Sequence, residues 1–175
     1  KLFALGIEKS PSCDTRNWVK TNFEVGHARK INWIEMDEVE SPRDDLRFRG
    51  FSNGAACFAR GEGMWYSDKS IYFACTNGGS KKSGQIWKIT GDELELFAEP
   101  NDPDLVDNCD NITVSPWGDM ILCEDGGGKQ YLDVITSTGK IFKLAKNSRS
   151  SSEFAGAPFS PDGSTLFVNI QEDGL

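Results

Sequence analysis

The residues with the clearest chemical potential begin at Arg60-Gly61-Glu62-Gly63, where one carboxylate sits between two glycines beside a guanidinium. Glycines on both sides let the backbone take unusual dihedral angles and let an ion or ligand approach closely. Gly-Glu-Gly also serves as polar punctuation in an ordinary surface turn, so both readings stand for this segment taken alone. The same device recurs at Glu124-Asp125-Gly126-Gly127-Gly128, directly after the apolar run Met120-Ile121-Leu122-Cys123. A carboxylate at the end of a buried strand calls for a cation, whereas the intervening Asp107-Asn108-Cys109-Asp110-Asn111 cluster is equally explained by Asx turns. Oxygen donors of these types suit calcium, which takes six to eight of them.

The elements that must position these groups are short strands. Ser67-Asp68-Lys69-Ser70, Ser115-Pro116-Trp117-Gly118 and Ser160-Pro161-Asp162-Gly163 each lead into an apolar run, and their starts lie 48 and 45 residues apart. Gly84-Gln85-Ile86-Trp87-Lys88-Ile89 and Gly139-Lys140-Ile141-Phe142-Lys143-Leu144 supply a further strand after the first two. A period of 40–50 residues with several strands per unit predicts an all-β chain of β-propeller blades. A β-sandwich also has short strands but gives no reason for a repeated Ser-Pro-x-Gly turn. About three repeats are present, so they are expected to form part of a larger propeller. In that architecture strand ends converge on a central channel, which would gather Glu62, the 107–111 cluster, Glu124-Asp125 and the 169–172 stretch.

Residues 1–49 read as an irregular and β lead-in, and residues 50–175 as the blades. Within the lead-in, Lys30 to Met36 alternates polar and apolar residues as a half-buried strand does. Asp44 to Phe51 fits a short helix or an extended loop. The chain lacks an initiator methionine and is expected to be an internal piece of a longer protein.

A formal charge of −8 argues against a nucleic-acid partner, which needs a basic face to neutralise phosphates. It also repels a phosphate ester unless bound cations reverse the local sign. No apolar run reaches the roughly 18 residues of a membrane span. The five cysteines show no Cys-x-x-Cys spacing and there is one histidine, so a zinc site from this chain is not expected. Cys57, Cys75 and Cys123 lie in apolar contexts and read as buried free thiols.

Three motifs together resemble the PhoX-type alkaline phosphatase family. They are Arg60-Gly61-Glu62-Gly63 with Thr76-Asn77-Gly78-Gly79 and Gly84-Gln85-Ile86-Trp87; Asp110-Asn111-Ile112 through Pro116-Trp117-Gly118 to Cys123-Glu124-Asp125-Gly126; and Phe159-Ser160-Pro161-Asp162-Gly163 with Leu166 to Gln171. The resemblance covers residues 50–171. It implies a β-propeller phosphomonoesterase with calcium ions and a ferric pair at its channel, placed outside the cytoplasm in the periplasm or secreted. By that resemblance Glu62 and Glu124 match metal-binding acids, with Asp110 and Asn111 as neighbours of the site. Arg60 is the nearby cation for a phosphate oxygen, a role that no motif match carries, and pairing with an acid is the alternative.

Two departures stand against a complete site. The Asn-Cys-Ala-Gly-Gly run that carries the family's iron-binding cysteine is absent, and Cys13 lacks its context. After Val168-Asn169-Ile170-Gln171 the chain continues Glu172-Asp173-Gly174 in place of the family's His-Pro-Gly. The expectation is therefore a partial metal site that needs the remainder of its own chain or a scaffold partner. The alternative is a non-catalytic propeller that keeps some calcium affinity.

Overall fold

The computed structural model describes residues 1–171. Its strands are β1 (Leu2–Ile7), β2 (Ala28–Met36), β3 (Gly61–Ser67), β4 (Ser70–Cys75), β5 (Gln85–Thr90), β6 (Glu93–Ala98), β7 (Cys109–Val114), β8 (Met120–Glu124), β9 (Tyr131–Ile135) and β10 (Ile141–Lys146). One short helix, α1 (Leu46–Ser52), interrupts them, so the Asp44–Phe51 stretch is helical from Leu46 onward. The alternation over Lys30–Met36 is β2. Strand β1 precedes it without a polar alternation to announce it, and pairs along its whole length from Leu2↔Met36 to Ile7↔Ile31.

The chain is built of propeller-like blades. β3 to β6 form an antiparallel four-stranded blade that β2 and β1 extend, in the order β1-β2-β6-β5-β4-β3. β7 to β10 form a second four-stranded blade in the order β10-β9-β8-β7. A third unit begins with the bridges Phe154↔Ile170 and Phe159↔Leu166. Tight turns set this meander. Asp68 and Lys69 both take positive φ (45° and 60°), the two-residue hairpin geometry that matches strand twist. The repeated Ser-Pro-x-Gly turns close differently, on a longer loop with positive φ at the glycine alone, Gly118 N–H donating to Ser115 O (3.0 Å) and Gly163 N–H to Ser160 O (2.8 Å). Gly118 and Gly163 have φ of +95° and +72°, where a side chain would be strained.

Three apolar layers hold the units face to face. Between lead-in and first blade, Trp87 is fully buried with Phe23, Phe58 and Phe73 around its ring. Between the two blades, Ala74, Ile86 and Ala98 meet Ile112, Met120, Leu122 and Ile135. Between the second blade and the third unit, Ile121, Cys123, Leu132 and Val134 meet Phe154 and Ala157. Alternate residues of β8 therefore serve opposite layers, as the two-residue period of a strand requires. That alternation decides where its terminal carboxylates point.

Candidate functional site

The leading strands β3 and β7 carry the same irregularity. β3 pairs Gly61↔Cys75 and then Met64↔Phe73, so one extra residue bulges between them. β7 pairs Cys109↔Glu124 and then Ile112↔Leu122, with an extra residue at the same place. Bulges bend a strand and re-aim its side chains. Glu62 and Gly63 occupy the first bulge, Asp110 and Asn111 the second. Just before each strand, Arg60 and Asn108 have positive φ (49° and 59°). Each also accepts a backbone hydrogen bond from the residue after the second strand: Thr76 N–H to Arg60 O (3.0 Å) and Asp125 N–H to Asn108 O (2.8 Å). Gln171 N–H to Glu153 O (2.9 Å) repeats this bond in the third unit.

Gly63 explains how the two bulges come together. A Cβ there would lie 2.5 Å from Asp110 O and 2.7 Å from Ile112 N, closer than real Cβ contacts. The glycine lets β3 lie against β7, which brings Glu62 to Asp110. Arg60 Nη2 stands 3.6 Å from Glu62 Oε1 and 3.7 Å from Asp125 Oδ2. The side chains of Arg60, Glu62 and Asp125 are 54%, 40% and 39% exposed, so the cluster is open to a solute. Burial pushes the Asp110 carboxyl above its ordinary pKa, reinforced by the negative charges of Glu62 and Asp125. The Asn111 amide, 3.4 Å from Asp110 Oδ2, and Arg60 act in the opposite sense. Among the described residues, no three His, Cys, Asp or Glu side chains converge tightly enough to hold a metal ion by themselves.

Comparison with known families matches residues 2–174 to the one described as Alkaline phosphatase PhoX. The chain belongs to the PhoX family. The match extends across the lead-in as well as the blades. Comparison with curated proteins and with solved structures finds no match.

Within this PhoX chain, the residues expected at the site divide into two groups. Arg60, Glu62, Asp110 and Asn111 are brought together, with Asp125 completing the cluster. Glu124 is placed elsewhere. It shares a face of β8 with Met120 and Leu122, on the layer between the blades, and is 1% exposed. Its Oε1 accepts the Asp107 backbone N–H at 2.8 Å and the Lys143 ammonium at 2.6 Å. Lys143 also lies 3.3 Å from Asp133. Burial first, and then the neighbouring Glu124, push the Asp133 carboxyl up to about 8. Strand alternation was the available signal for Asp125: if Glu124 continues the inward set 120, 122, 124, its neighbour must face the other way. Glu172 lies outside the described residues.

All five cysteines are free, and Cys75, Cys109 and Cys123 are buried, whereas Cys57 is half-buried. Burial raises the Cys75 and Cys123 thiols to about 12 and about 11, and raises Cys109 further. Cys109 directs its Sγ towards the Cys75 and Gln85 carbonyls and is packed close to Gly84. These are packing thiols without the thiolate character a metal ligand or nucleophile needs.

Proposed function

We propose that the Arg60, Glu62, Asp110 and Asp125 cluster binds a phosphate monoester and forms part of a metal-dependent phosphatase site. The observation that carries the reading is the position of Arg60. Its guanidinium is flanked by two carboxylates at the outer limit of ion pairing and, among the described residues, donates no side-chain hydrogen bond. Its N–H fork remains available to a phosphate, whose planar pairs of oxygens it fits.

Glu62, Asp110 and Asp125, with the Asn111 amide oxygen, are hard donors of the kind calcium takes, and water or other chain segments would complete its six to eight ligands. A calcium ion held there would neutralise the ester dianion and polarise its phosphoryl oxygens. The protein's own part is to fix the phosphate with Arg60, to present Glu62 and Asp110 from the two bulges, and to add Asp125 from the end of β8. The described residues offer no thiolate or imidazole beside the cluster for iron, so no role for iron is derived from them. Among the described residues no helix is long and apolar enough to cross a membrane. A location outside the cytoplasm, where calcium is plentiful, agrees with this reading.

The test is turnover of p-nitrophenyl phosphate on the isolated protein, with calcium and iron measured on the same sample. Chelator-sensitive turnover that Arg60→Ala lowers by about 100-fold is expected for a phosphate held in the transition state. Turnover that is indifferent to Arg60→Ala would overturn it. A second reading, a non-catalytic propeller scaffold or binding protein that retains a partial calcium site, is favoured by the place of Arg60 between Glu62 and Asp125, where it serves as a structural ion-pair partner. Metal content without turnover would select it.

A further inference from the structure

The lead-in carries a cavity of about 610 Å³, within the roughly 300–1,000 Å³ that small-molecule sites occupy. β1, α1 and residues 55–58 enclose it. Its floor is buried, at Met36, Gly50 and Ala55, and its rim is exposed, at Phe3, Phe48 and Phe51. We propose that this cavity binds a free amphiphilic carboxylate, a molecule of the fatty-acid type whose chain fills the cavity and whose anionic end pairs with Arg47. The site goes beyond the phosphatase reading and shares no residue with the Arg60 cluster.

The apolar half of the ligand follows from the walls. Large apolar side chains exposed singly are ordinary, but here Phe48 (62% exposed), Phe3 (45%), Leu2 (42%) and Phe51 (39%) crowd one mouth. Phe48 and Phe51 are three residues apart on α1 and so share a face of it. An apolar patch gathered around a concavity is a place for a ligand. The walls are also held without one. Ala55 N–H donates to Gly50 O (2.9 Å) and the Ser12 hydroxyl to Phe51 O (2.6 Å), which pins α1 at its C-terminal end. Binding therefore needs little ordering of the protein.

Charge defines the other half. The chain has 27 acidic residues against 19 lysines and arginines, yet no acid lines this cavity, whereas Arg16 and Arg47 do. Arg16 is already matched, its Nε and Nη2 donating to the two Asp14 carboxylate oxygens (2.8 and 2.7 Å). Arg47 is not. Its Nη1 donates to Asp44 O (2.9 Å) and Oδ1 (2.8 Å), and its Nε–Nη2 edge makes no hydrogen bond among the described residues. That is the edge that takes both oxygens of a carboxylate, as Arg16 does with Asp14. The guanidinium lies 4.5 Å from the Phe48 ring centroid, which holds it at the aromatic mouth. A chain with one carboxylate uses both features. A neutral apolar molecule leaves the arginine edge idle, and a cationic one is repelled.

The experiment is displacement of dansyl-undecanoate, whose emission rises in an apolar site, from the full chain by decanoate or decanol below micelle-forming concentrations. Decanoate should displace the probe at one molecule per chain, with a dissociation constant on the order of 10⁻⁴ M. Decanol should bind about fivefold more weakly, and octanoate, two methylenes shorter, about tenfold more weakly. Arg47→Gln should remove most of the preference for decanoate over decanol and leave decanol binding in place, whereas Phe51→Ala should weaken both alike. If Phe51→Ala proves unstable, Arg47→Gln, at a side chain 61% exposed, decides alone. Equal displacement by decanoate and decanol, a preference unchanged in Arg47→Gln, or uptake that does not saturate at one molecule per chain would overturn the site. The phosphatase reading fails on a different observation, absent turnover, which leaves this displacement unaffected.

Discussion

Glu62 and Asp110 are the same residue of two consecutive blades. Each is the second residue of its blade's leading strand, inside a one-residue bulge, and each follows a positive-φ residue that accepts the backbone N–H closing the next hairpin strand. Repetition of one backbone device thus places two carboxylates side by side from residues 48 positions apart.

That equivalence makes the two acids partners in one function. Glu62→Gln and Asp110→Asn should each lower phosphate-ester turnover by about 100-fold, with the double variant little worse than either single one, since groups acting as a unit are not additive. Steady-state kinetics with p-nitrophenyl phosphate, alongside calcium content, checks this. Additive losses would mean that the acids act independently.

The close approach that joins the blades hangs on Gly63. Gly63→Ala puts a methyl group against the backbone of Asp110 and Ile112, which cannot move as a side chain would. A loss of about 2–3 kcal/mol in unfolding free energy is expected, as for overpacking against a rigid neighbour. Gly61→Ala is the matched control: a Cβ there meets nothing within 4 Å, and its φ is not positive. It should be neutral or slightly stabilising, and urea unfolding of the pair separates the two outcomes.

The blades were legible in the sequence because their signals are local. A Ser-Pro-x-Gly turn followed by an apolar run reports a strand wherever it occurs, and its spacing reports the repeat. The Arg60–Glu62 and Asp110–Asn111 segments were legible as candidate chemistry from local composition, a carboxylate between two glycines in the first and a run of Asp and Asn in the second. The bulges were not legible, because a bulge is a mismatch between two strands and leaves no mark on either alone. The same limit applied to Glu124 and Asp125. Both follow the apolar run; alternation implies that they face opposite ways, but only the folded sheet shows that Glu124 meets Lys143 of β10 while Asp125 meets Arg60. Strand β1 was hidden because its sequence lacks a polar alternation, and its pairing with β2 defines it.

Asp162 supplies a pH signal in the third unit. Its carboxylate accepts hydrogen bonds from the Ser160 and Ser164 hydroxyls and from the Ser164 backbone N–H, which together hold it down at about 2. A depressed folded value means that the contribution of this turn is complete above the unfolded carboxyl's pKa, near pH 4, and is lost as pH falls through about 2. Carboxyl chemical shifts followed by NMR should titrate Asp162 well below the exposed aspartates. Ser160→Ala and Ser164→Ala should each move it back towards the ordinary value.

The Glu124, Lys143 and Asp133 group makes the opposite prediction. Lys143 spans two buried acids, at 2.6 Å from Glu124 and 3.3 Å from Asp133. Lys143→Met would leave them facing each other without a cation, at an expected cost of about 3 kcal/mol, the usual penalty for breaking a buried pair by removing one partner. Asp133 carries the pH dependence, because its folded pKa is raised to about 8 by burial and by Glu124. Between pH 4 and pH 8 the folded chain then binds a proton that the unfolded chain has released. The group's contribution to stability is full below about pH 4 and is lost as pH rises through about 8. Asp133→Asn, which keeps the shape and removes the charge, should flatten the stability profile across this window and gain on the parent at the alkaline end. Urea midpoints from pH 5 to 9 measure it, and a parent profile as flat as the variant's would show that Lys143 already neutralises both acids.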